Sequence, residues 1–344
     1  MQLVPRLLAS PDKFRSTLDG SAAAAAIAAA GRAAGWEVEE VPVSDGGEGF
    51  LDCFAGRGRL RTTSVLDALG RPVRAQWMLL DDGRTAVIET ARAIGLARVG
   101  GSEGNDPLGA SSAGAGQLLA AAVGAGARRL LVGLGGSATT DGGAGALAAL
   151  GGGARLVGVE VVVACDVTTR FVDAARTFAP QKGATPAQVA LLERRLQRMA
   201  QELEAIGGVD VRTLAGAGAA GGLAGGLAAV GASLVPGFDV VADALDLAER
   251  VAAADLVVTG EGLLDEQSFS GKAVGGVAAL ATAAGVPVVA VVGDADPDVA
   301  VPPEVEVISL VARAGARRAR EEAAACLTEA VAFLLADRRG AAPD

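Results

Sequence analysis

The sequence predicts a two-domain α/β protein: a parallel-sheet domain built from both ends of the chain, residues 1–59 and 251–344, and an α/β domain inserted between them, residues 60–250. Three observations carry this reading. Strand–loop–helix alternation fills the first segment, the same alternation returns in the last, and the middle opens with consecutive strands that have no helix between them. A chain of 344 residues is long enough for two cores of ~150 residues each.

Taken in order, Leu7–Ser10 is a short apolar strand that ends in Pro11-Asp12-Lys13. A helix over Ala22–Ala34 follows, with Ser16, Thr17 and Asp19 as candidate caps. Val38–Val43 alternates as a strand and breaks at Ser44-Asp45-Gly46-Gly47-Glu48-Gly49, a loop with two carboxylates among three glycines. The pattern then changes to strands over Arg59–Val65, Val73–Leu79 and Thr85–Ile88, with turns at Leu69-Gly70 and Asp81-Asp82-Gly83. Ala113–Ala125 reads as a helix, Leu130–Leu134 as a strand and Ala144–Leu150 as a helix entered through the Gly135–Gly143 loop. Val157–Cys165 is a buried strand ending at Asp166, and Pro186–Glu204 is an amphipathic helix. Gly216–Gly226, rich in Gly and Ala, fits either a close-packed helix or a flexible loop. In the last third, Leu256–Thr259, Val288–Val292 and Val305–Leu310 are strands, expected to share one parallel sheet with the N-terminal unit. Ala273–Ala284 and Ala314–Leu335 are the helices of that third.

Composition narrows the function. The net charge is −10 with a pI near 4.8, and the arginines are scattered, so the electrostatic footprint of a nucleic-acid binder is missing. No stretch reads as a membrane span or a secretory signal, and Cys53, Cys165 and Cys326 are too few and too widely spaced for a disulfide framework, which points to a cytoplasmic protein. A homodimer is compatible with the sequence. There is no His and no Tyr, which removes the serine–histidine triad, histidine-ligated zinc and phosphohistidine chemistry. Of 30 basic residues only Lys13, Lys182 and Lys272 are lysines, so each retained lysine marks a place where a compact point charge suits better than a planar fork.

The Gly135–Gly143 loop presents backbone N–H groups ahead of a helix, with Ser137, Thr139 and Thr140 as added donors, the geometry of a phosphate cradle; no Walker A Gly-Lys-Ser/Thr is present. Asp141 within it suits a Mg²⁺ escort of nucleotide phosphates. Asp45 and Glu48, Asp166, and Glu261 with Asp265 follow three different strands, where open α/β sheets bind ligands. Lys272 opens a helix, so its ammonium and the helix N-terminus can face one anion, and Lys182 sits in a Pro- and Gly-punctuated loop. Carboxylates, lysines and glycine loops without His point to phosphoryl transfer, which asks mainly for positioning and charge neutralisation.

These residues carry a resemblance over nearly the whole chain. Ser10-Pro11-Asp12-Lys13-Phe14, Ser44–Gly49, Gly135–Gly145, Ala164-Cys165-Asp166-Val167, Pro180-Gln181-Lys182-Gly183-Ala184, Gly216–Gly222 and Thr259-Gly260-Glu261-Gly262, with Gly271-Lys272 beyond, are similar to the ordered motifs of the type I glycerate kinase family. Thr168-Thr169-Arg170 stands where that family usually has Asn-Pro-Leu, Arg15 replaces a usual lysine, and Ser270 stands where a histidine is common. The resemblance implies a flavodoxin-like domain beside a second α/β domain, with the active site in the cleft between them. It also implies ATP and Mg²⁺ dependence and D-glycerate as the acceptor, with 2-phosphoglycerate as the expected product. On this reading Asp45, Asp166 and Asp265 share metal and base duties, the base being open among them, and Lys182 joins them as a catalytic cation. Lys13, Gly46, Gly47, Glu48, Gly135, Gly136, Ser137, Thr139, Asp141, Gly260, Glu261 and Lys272 bind nucleotide or substrate. Two other readings keep the fold: a kinase for another small hydroxy acid, and a non-catalytic homologue that senses nucleotide or hydroxy acid.

Overall fold

The computed structural model describes residues 4–14, 17–269 and 271–340. Chain contacts divide it into two compact units, one made of the residues up to Asp45 with those from Val241 onward, the other of Gly46–Val240. The sequence reading put these divisions at 59/60 and 250/251. The shift to 45/46 arises because the 46–59 segment winds against strands of the second unit: a Cβ on Gly133 would lie 2.8 Å from the Gly46 carbonyl and from the Phe50 ring.

In chain order the strands are β1 (Arg6–Ala9), β2 (Glu37–Glu40), β3 (Gly58–Leu66), β4 (Pro72–Leu80), β5 (Thr85–Glu89), β6 (Arg129–Gly133), β7 (Glu160–Ala164) and β8 (Ser233–Val235). They continue with β9 (Leu256–Thr259), β10 (Leu263–Leu264), β11 (Val288–Val292), β12 (Asp294–Ala295) and β13 (Val305–Ser309). The first unit holds a five-stranded, wholly parallel sheet ordered β13-β11-β9-β1-β2. Counted along that unit alone this is 2-1-3-4-5, the flavodoxin order, as expected of β-α alternation at the two chain ends. Its inner strands β9 and β11 read as apolar runs, Leu256–Thr259 and Val288–Val292 being buried throughout, because the middle of a parallel sheet is covered on both faces, whereas the edge strand β2, Glu37–Glu40, is largely polar.

Helix Gly20–Ala33 covers this sheet with a small-residue face of Ala23, Ala24, Ile27 and Ala30. Asp19 caps it, accepting the Ala22 N–H at 2.7 Å, whereas Thr17 donates its hydroxyl to the Phe14 carbonyl and Ser16 lies outside the described residues. β2 ends at Glu40, short of the expected Val43, although the amides of Val41 and Val43 still bond to Ala9 and Pro11; Pro42 between them has no N–H. The expected single helix over 314–335 is two, Ala316–Glu321 and Ala323–Gly340, preceded by a short helix Leu310–Ala314. Gly315 (φ 82°, ψ 150°) and Glu322 (φ −125°, ψ 38°) break it, a departure from helical dihedrals that an Ala/Arg/Glu-rich sequence does not announce.

The second unit holds a six-stranded sheet in the order β3-β4-β5-β6-β7-β8. Its first three strands pair antiparallel, as expected of strands without intervening helices, and the rest parallel. β7 begins at Glu160, not Val157, because Gly158 has φ 75° and the preceding Ala154–Leu156 turn takes the chain away from the ladder. Gly216–Gly226 resolves as a short 3₁₀ turn, Ala219–Gly222, running into helix Leu223–Ala228.

Candidate functional sites

In the first unit, a cavity of about 360 Å³ opens at the carboxyl ends of the parallel strands, where a doubly wound sheet binds its ligands. The chain leaving β1 runs on beside β9, the Ser10 and Asp12 amides bonding to the carbonyls of Val258 and Gly260, and so delivers Asp12 and Lys13 to the cavity. Gly260 must be Gly, since a Cβ there would lie 2.0 Å from the Val291 carbonyl. The turn beyond it presents Glu261, held by the Gly293 N–H on its carbonyl at 2.9 Å.

Five carboxylates line the cavity: Asp12, Asp45, Glu261, Asp265 and Asp294. Three cations face them: Lys13, Lys272 and Arg320. Lys13 Nζ lies 3.7 Å from Asp45. Lys272 sits at the N-cap of helix Ala273–Ala284. Burial pushes the Glu261 carboxyl up to about 7; the Ser268 hydrogen bond and the Lys272 charge oppose the rise, and the charges of Asp12 and Asp265 add to it. Its Oε1 is buried with no hydrogen-bond partner, so an acceptor near its neutral point waits in the pocket. Asp265 is occupied locally: its Oδ1 accepts the N–H groups of Gln267 (2.8 Å) and Ser268 (3.1 Å).

The second unit places the glycine loop where the sequence expects it, between β6 and helix Ala144–Ala149, but not as an open helix end. The Asp141 carboxylate takes the donors there, accepting the N–H groups of Ser112 (2.8 Å), Gly143 (3.1 Å) and Gly145 (3.1 Å) and the Ser112 hydroxyl (2.8 Å). It therefore stands as the anion at that helix start. Lys182, 4% exposed, donates to the Thr139 carbonyl at 2.6 Å and to Ser137 Oγ at 3.3 Å. Its pKa falls to about 8 because burial removes the ammonium from water, while the Asp141 charge works against the fall.

Backbone packs directly on backbone around this loop. A Cβ on Gly221 (φ 67°) would be 2.0 Å from the Thr139 carbonyl, and one on Gly135 would be 2.5 Å from Gly47 Cα. Gly46, with φ 83°, presses on Ala164, so Gly46 and Gly47 serve contact with the strand ends, and Glu48 beside them is exposed. Gly136 (φ 74°) gives the loop its turn. Thr139 Oγ1 is buried without a hydrogen-bond partner. Among the described residues no group of three or more Cys, Asp or Glu side chains has metal-holding geometry. Asp166 accepts the Gly237 N–H at 2.8 Å at the start of helix Gly237–Ala244. Three charged lining residues lie outside the set expected from the sequence. Asp12 stood in a quoted motif and could have been found from its place after β1; Asp294 and Arg320 carried no local signal.

The glycerate kinase family model matches residues 7–155 and 152–336. The chain belongs to the glycerate kinase family. Among family relatives, Escherichia coli (strain K12) glycerate 2-kinase is 38% identical over 332 residues, covering 86% of this chain and 87% of its own. An uncharacterised protein of Mycobacterium tuberculosis (strain CDC 1551 / Oshkosh) is 44% identical over 309 residues, 85% of this chain and 80% of its own. The crystal structure of a Salmonella typhimurium LT2 protein assigned as glycerate kinase 2 superposes with a TM-score of 0.83 at 33% identity, covering 98% of this chain and all of that one. No helix among the described residues is long and apolar enough to cross a membrane.

Proposed function

We propose that this protein transfers the γ-phosphoryl group of ATP to a hydroxyl of D-glycerate, giving 2-phosphoglycerate and ADP, in the cytoplasm. The observation that carries the reading is Glu261, a carboxyl poised near 7 with an unpartnered oxygen, in a cavity that also holds two of the chain's three lysines. The acceptor hydroxyl gives its proton to Glu261 Oε1 as its oxygen bonds to the γ-phosphorus, and the bond from that phosphorus to the β-bridging oxygen breaks to release ADP. Lys13 and Lys272 offset the charge on the moving phosphoryl group. This assigns the base to Glu261 rather than to Asp45, Asp166 or Asp265.

The cavity suits Mg²⁺, since its five oxygen-donor carboxylates outnumber its three cations. Mg²⁺ commonly takes only one or two protein carboxylates and the substrate phosphates, so no preformed cage is needed. Asp45 and Asp12 are the residues that would hold it, and its chemistry there would be charge neutralisation of the transferring phosphoryl group. In the second unit Lys182 and Asp141 act by holding the glycine loop in shape, because their polar atoms are spent on that loop.

ADP release measured with D-glycerate, with other small hydroxy acids, and with neither tests the reading. Release that depends on D-glycerate and on Mg²⁺ supports it. Release that needs another hydroxy acid moves the acceptor, and tight binding without turnover makes the protein a sensor.

A further inference from the structure

Gly315 (φ 82°, ψ 150°) stops one helical turn and starts another, Ala316–Glu321, at a new angle. Ala316, Ala319 and Arg320 of that turn line the cavity of the first unit. They stand at i, i+3 and i+4, one face of a helix. Two of the three have the smallest side chain that keeps a Cβ, which leaves room, and the third is the longest cation available. Of the neighbouring arginines, Arg318 bonds to Glu322 and Glu329, Arg313 lies 4.4 Å over the Phe333 ring, and Arg317 is not part of the cavity lining. Arg320 has no ion pair or hydrogen bond among the described residues. Of the cavity's other cations, Lys13 is beside Asp45 and Lys272 feels the charge of Glu261.

We propose that Arg320 is a specificity-determining residue of this pocket, its guanidinium taking the carboxylate of the hydroxy-acid acceptor in a two-pronged hydrogen bond. The inference rests on the reading of the cavity as the acceptor site. A guanidinium fork matches a planar two-oxygen anion, whereas the two lysines are point charges suited to a phosphoryl group.

The test is steady-state kinetics on the full chain with D-glycerate and with its amide, glyceramide, which lacks the charge. Arg320→Gln raises KM for D-glycerate ~10- to 100-fold, the range for losing a charged two-point contact, with kcat and KM for ATP within ~2-fold. Arg320→Lys recovers part of the loss, and the preference of the wild type for glycerate over glyceramide shrinks toward unity in Arg320→Gln. An unchanged KM for glycerate, or a rise confined to ATP, overturns the assignment. A wild type without glycerate-dependent ADP release overturns the acceptor-site reading and this assignment with it, so the two failures are distinguishable.

Discussion

Replacing Lys182 by Met removes one ammonium from a site that is 4% exposed and leaves a side chain of similar length. In the folded protein this lysine holds its proton only up to a pH of about 8, whereas the unfolded chain holds it to 10.5. Between those values the unfolded state binds more protons, so stability rises with pH, approaching about 1.4 kcal/mol per unit and about 3 kcal/mol across the window. The chain offers an unusually clean background for seeing this, since it has no His and no Tyr and only two other lysines. Subtracting the Lys182→Met curve cancels those lysines and the cysteines. Denaturant midpoints for both proteins from about pH 7.5 to about 10.5 should therefore diverge, the wild type gaining about 3 kcal/mol relative to the variant. Parallel curves would show that Lys182 titrates as an exposed lysine does, and the loop-tie argument would fall.

Lys182→Arg keeps the charge but overfills the same site and turns its donors away from the Thr139 carbonyl; a loss of ~1–3 kcal/mol and a lower kcat/KM are expected, with Arg59→Lys, at an exposed position of the sheet edge β3, as an unaffected control. Unchanged melting and kinetics would refute this. Glu261→Gln should lower kcat by ~100-fold or more. In the wild type, kcat/KM should fall as pH drops through about 7, where the Glu261 base takes up its proton, and the glutamine variant should lose that limb; a retained limb assigns the base elsewhere. Gly221→Ala sets a Cβ against the Thr139 carbonyl at positive φ, and thermal melting should report ~2–5 kcal/mol of lost stability.

The architecture was legible wherever local pattern and tertiary role agree. Val288–Val292 and Leu256–Thr259 are buried on both faces and read as apolar runs, and Ala273–Ala284 lies between Lys272 and Gly285, which leave no ambiguity about its ends. The skewed Lys/Arg ratio singled out Lys182, and the structure finds it buried; its partners, Thr139 and Ser137, lie more than 40 positions away and left no trace near it. Asp141 looked free for a metal because Ser112, whose amide and hydroxyl it binds, is 29 residues upstream. Arg320 went unseen for the opposite reason: a helix drawn unbroken through Gly315 gives no means of telling which of the four nearby arginines, Arg313, Arg317, Arg318 and Arg320, faces a cavity.

The parallel sheet of the first unit also sets a timetable for biogenesis. β1 meets β2 within some 30 residues, Leu7 pairing with Val38, yet its other neighbour contributes Leu256. At ~5–20 residues per second, the ribosome needs roughly 10 to 50 s to deliver that partner. The whole of Gly46–Val240 emerges in the interval and can close its own sheet, while β1 waits with one edge unpaired. A nascent chain stalled before β9 should therefore carry a finished second unit and an adhesive first one, and slow translation between these points prolongs the protein's most aggregation-prone moment.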